Sequence, residues 1–279
     1  MTEQVQNEEF VGRPSRRRPG EFKYVRFRTE GPVARMTLDR PEHNLLNEPM
    51  LRELAGVEPL GEMDEVKLAV LDSACKVFSG GIDIGEYTAD RVFQMLDAFH
   101  SAFTAMLEVS KPVLVIVNGP AIGGGAELAA FGDLVLATPK ARFAQPEITI
   151  GVFPPLASTI LPHIVGPKVA LELVLTGEPI SAERARELGL VNRLVPESQL
   201  ERAVGGMDSA NHFAIRSRAD DGQARHPRRH GPFPERWPAP LHEHFPERAL
   251  PSRGFAGRPA GARRKAQAAL EESLRKRST

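Results

Sequence analysis

Residues 111–151, KPVLVIVNGPAIGGGAELAAFGDLVLATPKARFAQPEITIG, are the stretch that decides the fold of this chain. The apolar, β-branched run Val113–Val117 predicts a buried strand, because such residues suit the pleated interior of a sheet. The glycine triplet at positions 123–125 ends the extended pattern and permits unusual backbone angles. A helical pattern resumes at Ala126–Ala130. The stretch therefore predicts a strand, a glycine loop and the start of a helix.

This glycine loop has a possible chemical use. The first N–H groups of a helix lack internal partners and carry the positive end of the helix dipole, so an oxyanion is favoured there. One such donor contributes about 3 kcal/mol to a transition state that develops negative charge. An isolated glycine triplet is, however, more often only a tight connection between two elements. The flanking residues must decide between the two interpretations.

Three motifs that follow one another in the chain decide whether the glycine loop is a binding loop or only a tight connection. The glycine loop ends in GGGAE, with Glu127, and is followed by QPE, with Glu147, and then by Gly151, so that the two glutamates lie 20 residues apart. Upstream, Val77–Ile84 has the sequence VFSGGIDI. Over residues 21–203 these motifs resemble those of the crotonase superfamily, the enoyl-CoA hydratases and isomerases. The resemblance implies an α/β fold of the ClpP/crotonase type, a spiral of repeated strand-turn-helix units, with an irregular C-terminal tail.

The resemblance also implies a catalytic pair. Glu127 would hold and deprotonate water, and Glu147 would exchange the proton at the α carbon of an enoyl-CoA thioester. One carboxyl must then be protonated, and burial together with like charge would raise its pKa. Two exposed carboxylates would be the default for an unrelated pair of glutamates. Isomerases and thioesterases of the superfamily commonly lack one of the two, so both glutamates together favour a hydratase.

The backbone donors of an oxyanion hole are likewise implied by the resemblance. The predicted donors are the N–H groups of Gly80 and Gly124. Gly80 stands where the family's F-x-A-G-x-D motif usually has alanine. Because the donor is a backbone group, the loss of a methyl leaves the chemistry possible and loosens the loop.

The predicted substrate-binding residues are Arg40, Asp83, Tyr87 and Phe153. Arg40 lies in a segment that resembles one that helps hold CoA, although an arginine beside a proline turn is more often an exposed charge. Phe153 precedes Pro154-Pro155, which replaces flexible glycines of the family pattern and indicates a different pocket wall. Within the superfamily this segment is most similar to the alicyclic dienoyl-CoA hydratases, which act on cyclohexa-1,5-diene-1-carbonyl-CoA.

Other elements follow from local patterns. Two strands turned at Gly31-Pro32 predict a hairpin, and Lys67–Asp72 predicts a further buried strand. Apolar residues at helical spacing predict a helix over Asp90–Leu107. A helix is also predicted from Leu161, and Ser181 is the predicted cap of a later one.

The two ends of the chain differ from the predicted catalytic core at residues 21–203. Residues 1–20 are polar and basic and predict a disordered leader. Residues 205–279 hold five of the eight histidines, eight of the 24 prolines and the only tryptophan, without a sustained apolar period. We interpret residues 204–279 as a disordered extension or as the product of an altered reading frame. Histidines without other ligands make a metal site in this tail improbable, and no metal residue is predicted.

Composition bounds the remaining properties. The 36 basic and 36 acidic residues balance, which gives no global electrostatic case for nucleic acid or a membrane surface as partner. A single cysteine, Cys75, excludes an intrachain disulfide and favours the cytoplasm. No apolar run reaches the roughly 20 residues needed to cross a bilayer.

The predicted reaction needs no cofactor, since coenzyme A is part of the acyl-CoA substrate. The resemblance implies a homotrimer or hexamer, provided that the C-terminal region permits it. Two alternatives stay open. One is an isomerase or acyl-CoA hydrolase of the same superfamily, and the other is a catalytically inactive CoA-binding protein.

Overall fold

A computed structural model describes residues 22–209, apart from positions 58, 59, 61, 62, 87, 89 and 110. The predicted basic leader, Tyr87 and residues 210–279 therefore lie outside the described residues. Within the described part, none of the helices has the length and apolar character needed to cross a bilayer. In the same part, no three His, Cys, Asp or Glu side chains lie close enough together to hold a metal ion.

Two sheets form the framework. The larger has the order β1-β2-β3-β4-β6-β9, in which the β1–β2 hairpin is antiparallel and the other pairs are parallel. The smaller has the order β5-β7-β8. The strands are β1 Val25–Glu30, β2 Val33–Leu38, β3 Leu68–Ser73, β4 Val113–Val117, β5 Pro120–Ile122, β6 Leu134–Ala137, β7 Arg142–Ala144, β8 Ile180–Ser181 and β9 Arg193–Leu194.

Helices follow most of the strands and cover the larger sheet. Their apolar faces pack on β2, β3 and β4 to form the main core, which includes Phe78, Phe103 and Phe131. The helices are α1 Glu48–Ala55, α2 Val92–Glu108, α3 Gly124–Phe131, α4 Pro155–Ile164, α5 Pro167–Thr176, α6 Ala182–Glu187 and α7 Leu200–Ser209.

Two buried charged side chains join elements that are distant in the chain. Glu53 on α1 accepts the backbone N–H groups of Lys23, Tyr24 and Val25 at 2.7 to 2.9 Å, which holds α1 against β1. Arg35 on β2 binds Glu201 of α7 through two hydrogen bonds of 2.7 and 2.8 Å and Asp72 through one of 2.8 Å. The Glu53 carboxylate is thus hydrogen-bonded and the Arg35 guanidinium is ion-paired, which offsets the cost of burying each charge.

The structure confirms several local predictions. β4 has the predicted bounds, the hairpin turns at Gly31-Pro32, and the Ser181 side chain accepts the N–H of Arg184 as a helix cap.

The end of the folded core lies beyond the predicted boundary between residues 203 and 204. α7 runs across that boundary, and Val204 is buried in a second apolar cluster. The folded chain therefore continues to Ser209.

Two helix starts were predicted wrongly. α3 begins at Gly124, within the glycine triplet, and not at Ala126. α4 begins at Pro155, six residues before the predicted start at Leu161. Proline is favoured at the first position of a helix, because its fixed φ suits the helix and its missing N–H would have had no partner. Pro155 is thus the start of a helix as well as a stiff step in the pocket wall.

Candidate active site

Glu127 lies in the first turn of α3 and is almost completely buried, with 2% of its surface exposed. Its Oε1 atom accepts the backbone N–H of Ala157 at 2.7 Å. Ala157 belongs to the first turn of α4, where N–H groups have no partner inside the helix. The N-terminus of α4 therefore points at the Glu127 carboxyl group, and Pro155 fixes where that N-terminus lies.

Glu147 reaches the same place from a different element. It lies in the 3-10 turn Pro146–Ile150, which ends at Gly151 with a positive φ of 71°. Its carboxyl group lies against Gly123, the residue just before α3. A Cβ atom on Gly123 would be 3.3 Å from the Glu147 Cδ and in collision with Oε1. Gly123 has a φ of 52°, so glycine is required there by both its backbone and its neighbour.

The two carboxyl groups perturb each other. Burial, and next the charge of Glu147, raise the pKa of Glu127 to about 8. Burial raises the pKa of Glu147 to about 7. The Glu147 Oε2 atom is buried and has no hydrogen-bond partner among the described residues. Because the two groups interact, they titrate as a pair that shares a proton near neutral pH.

This pair makes the stability of the protein depend on pH. Both folded-state pKa values lie above the ordinary 4.5, so between pH 4.5 and 8 the folded chain binds more protons than the unfolded chain. The contribution to the free energy of unfolding therefore falls as pH rises through this window. We expect Glu127→Gln to flatten the fall and to raise the free energy of unfolding by about 0.5–2 kcal/mol at the upper end. Urea unfolding of both proteins at the two ends of the window measures this, and parallel pH profiles would contradict it.

The prediction that Gly80 supplies an oxyanion donor is wrong. The Gly80 N–H donates to the carbonyl oxygen of His43 at 2.8 Å and is not available to a substrate. Its neighbours in the loop are occupied as well. Ser79 N–H donates to Pro120 O at 3.2 Å, Gly81 N–H to Ser79 Oγ at 3.2 Å and Asp83 N–H to Leu46 O at 2.9 Å.

Ile82 is the exception in this loop. Among the described residues, none accepts a hydrogen bond from the Ile82 N–H or from the Gly124 N–H. The two residues are neighbours, since a Cβ on Gly124 would lie 3.2 Å from Ile82 Cγ1. A Cβ on Gly81 would lie 3.5 Å from the Gly124 nitrogen, so glycine at position 81 leaves that amide accessible. Ile82 and Gly124 are therefore neighbouring residues whose backbone N–H groups have no acceptor among the described residues.

Gly80 has a packing role instead. A Cβ on Gly80 would lie 2.8 Å from Leu45 Cδ2, closer than van der Waals contact allows. We expect Gly80→Ala to lower kcat by only about two- to threefold, because the end of the Leu45 side chain can move aside and little of the clash is passed on to the loop. Leu45→Ala in the same chain should restore most of the loss by removing the clash. Steady-state kinetics of the two single variants and the double variant measure this coupling. Additive effects would contradict it.

Arg40 and Asp83, two of the predicted substrate-binding residues, bind each other. The Arg40 guanidinium donates to Asp83 Oδ2 at 2.8 Å and to Leu45 O at 2.7 Å. Both side chains are mostly buried, with 26% and 20% exposed. The pair ties the segment after β2 to the loop after β3. This structural role accounts for both residues, and their contact with a substrate stays a prediction.

Phe153 lies apart from this pair, in an apolar groove of about 430 Å³ between α4, α5 and the turn that carries Glu147. It is 56% exposed, and so are large parts of Ile148, Leu171 and Leu175 beside it. Its predicted contact with substrate stays a prediction, as does that of Tyr87, which lies outside the described residues.

Two backbone N–H groups of this site were not predicted from the sequence. The amide of Ala157, which binds Glu127, was missed although a proline at the first position of a helix was a usable signal. Ile82 was missed because a free backbone N–H leaves no trace in side-chain identity. Only the hydrogen bonds of its neighbours identify it.

Comparison with known proteins identifies one family. Residues 28–214 match the model of the enoyl-CoA hydratase/isomerase family. A cyclohexa-1,5-dienecarbonyl-CoA hydratase of Thauera aromatica is 35% identical over 206 residues, which cover 70% of this chain and 79% of that protein. A probable enoyl-CoA hydratase of Rhizobium meliloti is 38% identical over 199 residues, which cover 70% of this chain and 77% of that protein.

Solved structures give the same result for the fold. The crystal structure of an enoyl-CoA hydratase from Mycobacterium smegmatis aligns with a TM-score of 0.63 and 33% identity, covering 66% of this chain and 75% of the other. The predicted crotonase-type α/β fold is thus confirmed. With its two facing glutamates and a family match over most of its length, the chain belongs to the enoyl-CoA hydratase/isomerase family.

Proposed function

We propose that this protein is an enoyl-CoA hydratase, which adds water across the double bond of an α,β-unsaturated acyl-CoA thioester. One observation carries the proposal: two buried carboxyl groups, Glu127 and Glu147, interact at the N-terminus of α3, and both have raised pKa values. Addition of water needs one base and one acid at the same site. A coupled pair that holds one proton supplies both.

The hydrogen bonds of the two carboxyl groups favour one of them as the base and the other as the acid. The two carboxyl groups share one proton, which can lie on either of them because they titrate as a pair. The Ala157 N–H favours the arrangement in which Glu127 is charged and Glu147 holds the proton, since an N–H donor stabilises a carboxylate. We assign Glu127 as the base that takes a proton from water as its oxygen bonds to the β carbon. Glu147 has a buried oxygen without a partner, which suits a protonated acid. It gives its proton to the α carbon. The product is a 3-hydroxyacyl-CoA, and the pair exchanges protons with water to return to its first state.

The thioester oxygen takes up negative charge between these steps, as the electron pair of the double bond moves onto it. We propose the N–H groups of Ile82 and Gly124 as its two donors. Their freedom from other acceptors supports this choice over Gly80, as does their proximity. Gly124 also lies at the positive end of the α3 dipole.

The substrate class follows from the same site. We propose an acyl-CoA without a metal or redox cofactor, and the similarity to a dienecarbonyl-CoA hydratase makes a cyclic dienoyl-CoA a candidate beside a linear enoyl-CoA. A cytoplasmic location and a family-type homotrimer or hexamer are further proposals. Cell fractionation tests the former and light scattering of the purified full chain the latter.

A substrate panel tests the activity. Purified protein is incubated with crotonyl-CoA or cyclohexa-1,5-diene-1-carbonyl-CoA in isotopically labelled water, and the products are analysed by mass spectrometry. A hydratase adds one labelled water and releases no free thiol. Movement of the double bond without label would instead identify an isomerase, and release of CoA thiol a hydrolase. Binding of acyl-CoA without any product would identify an inactive CoA-binding protein.

A further inference from the structure

The segment 43–46 lies beside the loop 79–83 and forms a short parallel pairing with it. Gly80 N–H donates to His43 O at 2.8 Å, and Leu46 N–H donates to Gly81 O at 2.7 Å. Asp83 N–H completes the pairing with Leu46 O at 2.9 Å. The bonds flank Ile82 on both sides and leave its amide unpaired. The direction of that amide is therefore set by segment 43–46.

The backbone of segment 43–46 bends at Asn44. It is fully buried, with 0% of its surface exposed, and has a positive φ of 47°. Asparagine tolerates this left-handed conformation better than most residues with a side chain. The bend separates His43, which binds Gly80, from Leu46, which binds Gly81 and Asp83.

Both polar groups of the Asn44 side chain, the Oδ1 atom and the Nδ2 group, form hydrogen bonds. Its Oδ1 atom accepts the Arg40 N–H at 2.7 Å, and its Nδ2 group donates to Ser73 Oγ at 2.8 Å and to Phe78 O at 3.0 Å. Its backbone oxygen accepts the Ser79 hydroxyl at 2.8 Å. Asn44 thus joins the end of β2 and the end of β3 to the first two residues of the loop that carries Ile82.

We propose that Asn44 is a positioning residue, which aims the Ile82 amide at the substrate oxygen by holding Phe78 and Ser79. The proposal rests on the function proposed above. Asn44 does not touch the reacting atoms. It acts through the Nδ2 donation to Phe78 O, which anchors the loop at the point where it leaves the core.

Asn44→Asp tests this with little change of shape. Aspartate also tolerates the left-handed backbone and keeps an oxygen for the Arg40 N–H. Its second oxygen, however, replaces an Nδ2 group that donates two hydrogen bonds, to Ser73 Oγ and Phe78 O, and a carboxyl group has at most one proton to donate. We expect kcat to fall by about 10- to 100-fold with KM within about threefold, because the groups that bind CoA are unchanged while the amide is misplaced.

A spectroscopic probe separates this role from a merely structural one. A dimethylaminocinnamoyl-CoA thioester absorbs at longer wavelength when its carbonyl oxygen is polarised by hydrogen bonds. We expect the wild-type protein to shift this absorption, and Asn44→Asp to bind the probe with a much smaller shift. Asn118→Asp is the matched control, since it makes the same chemical change and removes an Nδ2 hydrogen bond to Cys75 O while leaving Phe78 O and Ser79 Oγ bound. It should keep the full shift.

The outcomes are distinct. A full shift and full kcat in Asn44→Asp would overturn the proposal. A shift lost equally in Asn118→Asp would show that any such change near the loop has this effect, and would overturn it too. If Asn44→Asp does not fold, Asn44→Gly, which also permits the positive φ, is compared in the same way. Failure of both to fold would overturn the proposal. No shift in the wild-type protein would overturn the proposed oxyanion hole itself.

Discussion

Glu127→Gln is expected to lower kcat for the hydration of crotonyl-CoA by about 10³-fold and to leave KM within about threefold. The reason is that glutamine keeps an oxygen for the Ala157 N–H and keeps the volume of the side chain, but it cannot take a proton from water. The fold and the binding of CoA should therefore survive. Stopped-flow loss of the conjugated thioester absorbance measures kcat, and titration with product measures binding.

The control for this variant is Glu172→Gln on the exposed surface of α5, which makes the same chemical change away from the site. It should behave like the wild-type protein. Glu147→Gln should lose activity to a similar degree, and the double variant should be little worse than either single one, since the two carboxyls act as a unit. A Glu127→Gln protein with more than about a tenth of wild-type kcat would contradict the assignment of Glu127 as base.

Gly123→Ala is expected to destabilise the protein and to lower kcat by about 10²-fold or more. Alanine at a positive φ costs about 1–2 kcal/mol for the backbone. The added methyl also meets the Glu147 carboxyl group, and such overpacking costs a further 1–3 kcal/mol or so. The carboxyl group must then move away from Glu127, which separates acid from base. Urea unfolding and steady-state kinetics measure the two effects.

A matched control exists within the chain. Gly31 has a similar φ of +57°, but a Cβ there would meet nothing within 4 Å. Gly31→Ala therefore reports what a positive φ costs without a steric contact, whereas Gly123 also has an unfavourable ψ of −124°. The excess in Gly123→Ala that comes from the contact with Glu147 is measured by a double variant. Adding Glu147→Ala to Gly123→Ala should recover that excess in stability, without recovering activity. Equal losses at the two glycines, with kcat unchanged, would show that Glu147 does not lie over Gly123.

Much of the active site was predictable from sequence, but unevenly. Glu127 and Glu147, which the structure brings together, could be named from sequence because their proposed role uses side chains, and side-chain identity is what a motif records. Gly80 was misassigned because an oxyanion donor is a backbone N–H, which every residue except proline possesses. Which amide in the loop is free depends on acceptors in segment 43–46 and in β5, which lie elsewhere in the chain.

Arg40 and Asp83 illustrate the same limit. Each was predicted separately as a substrate contact from its position in a motif. The structure pairs them across 43 residues of sequence, and the pair has a structural explanation that neither residue suggests alone. The Phe153 side chain lines an apolar groove, and its contact with substrate stays a prediction.

The sequence by itself determined the local elements, the family and the two carboxylates. β4, the hairpin and the Ser181 cap are specified by short-range patterns of apolar, turn and capping residues, which act over a few positions. Only the tertiary structure decided the pKa values of the two carboxyl groups and which backbone N–H groups of the site lack an acceptor. Glu127 and Glu147 acquire raised pKa values only when the fold removes both from water and brings them together, and Ile82 becomes the free amide only because its neighbours are bound. These properties depend on contacts between residues far apart in the chain, which no local pattern specifies.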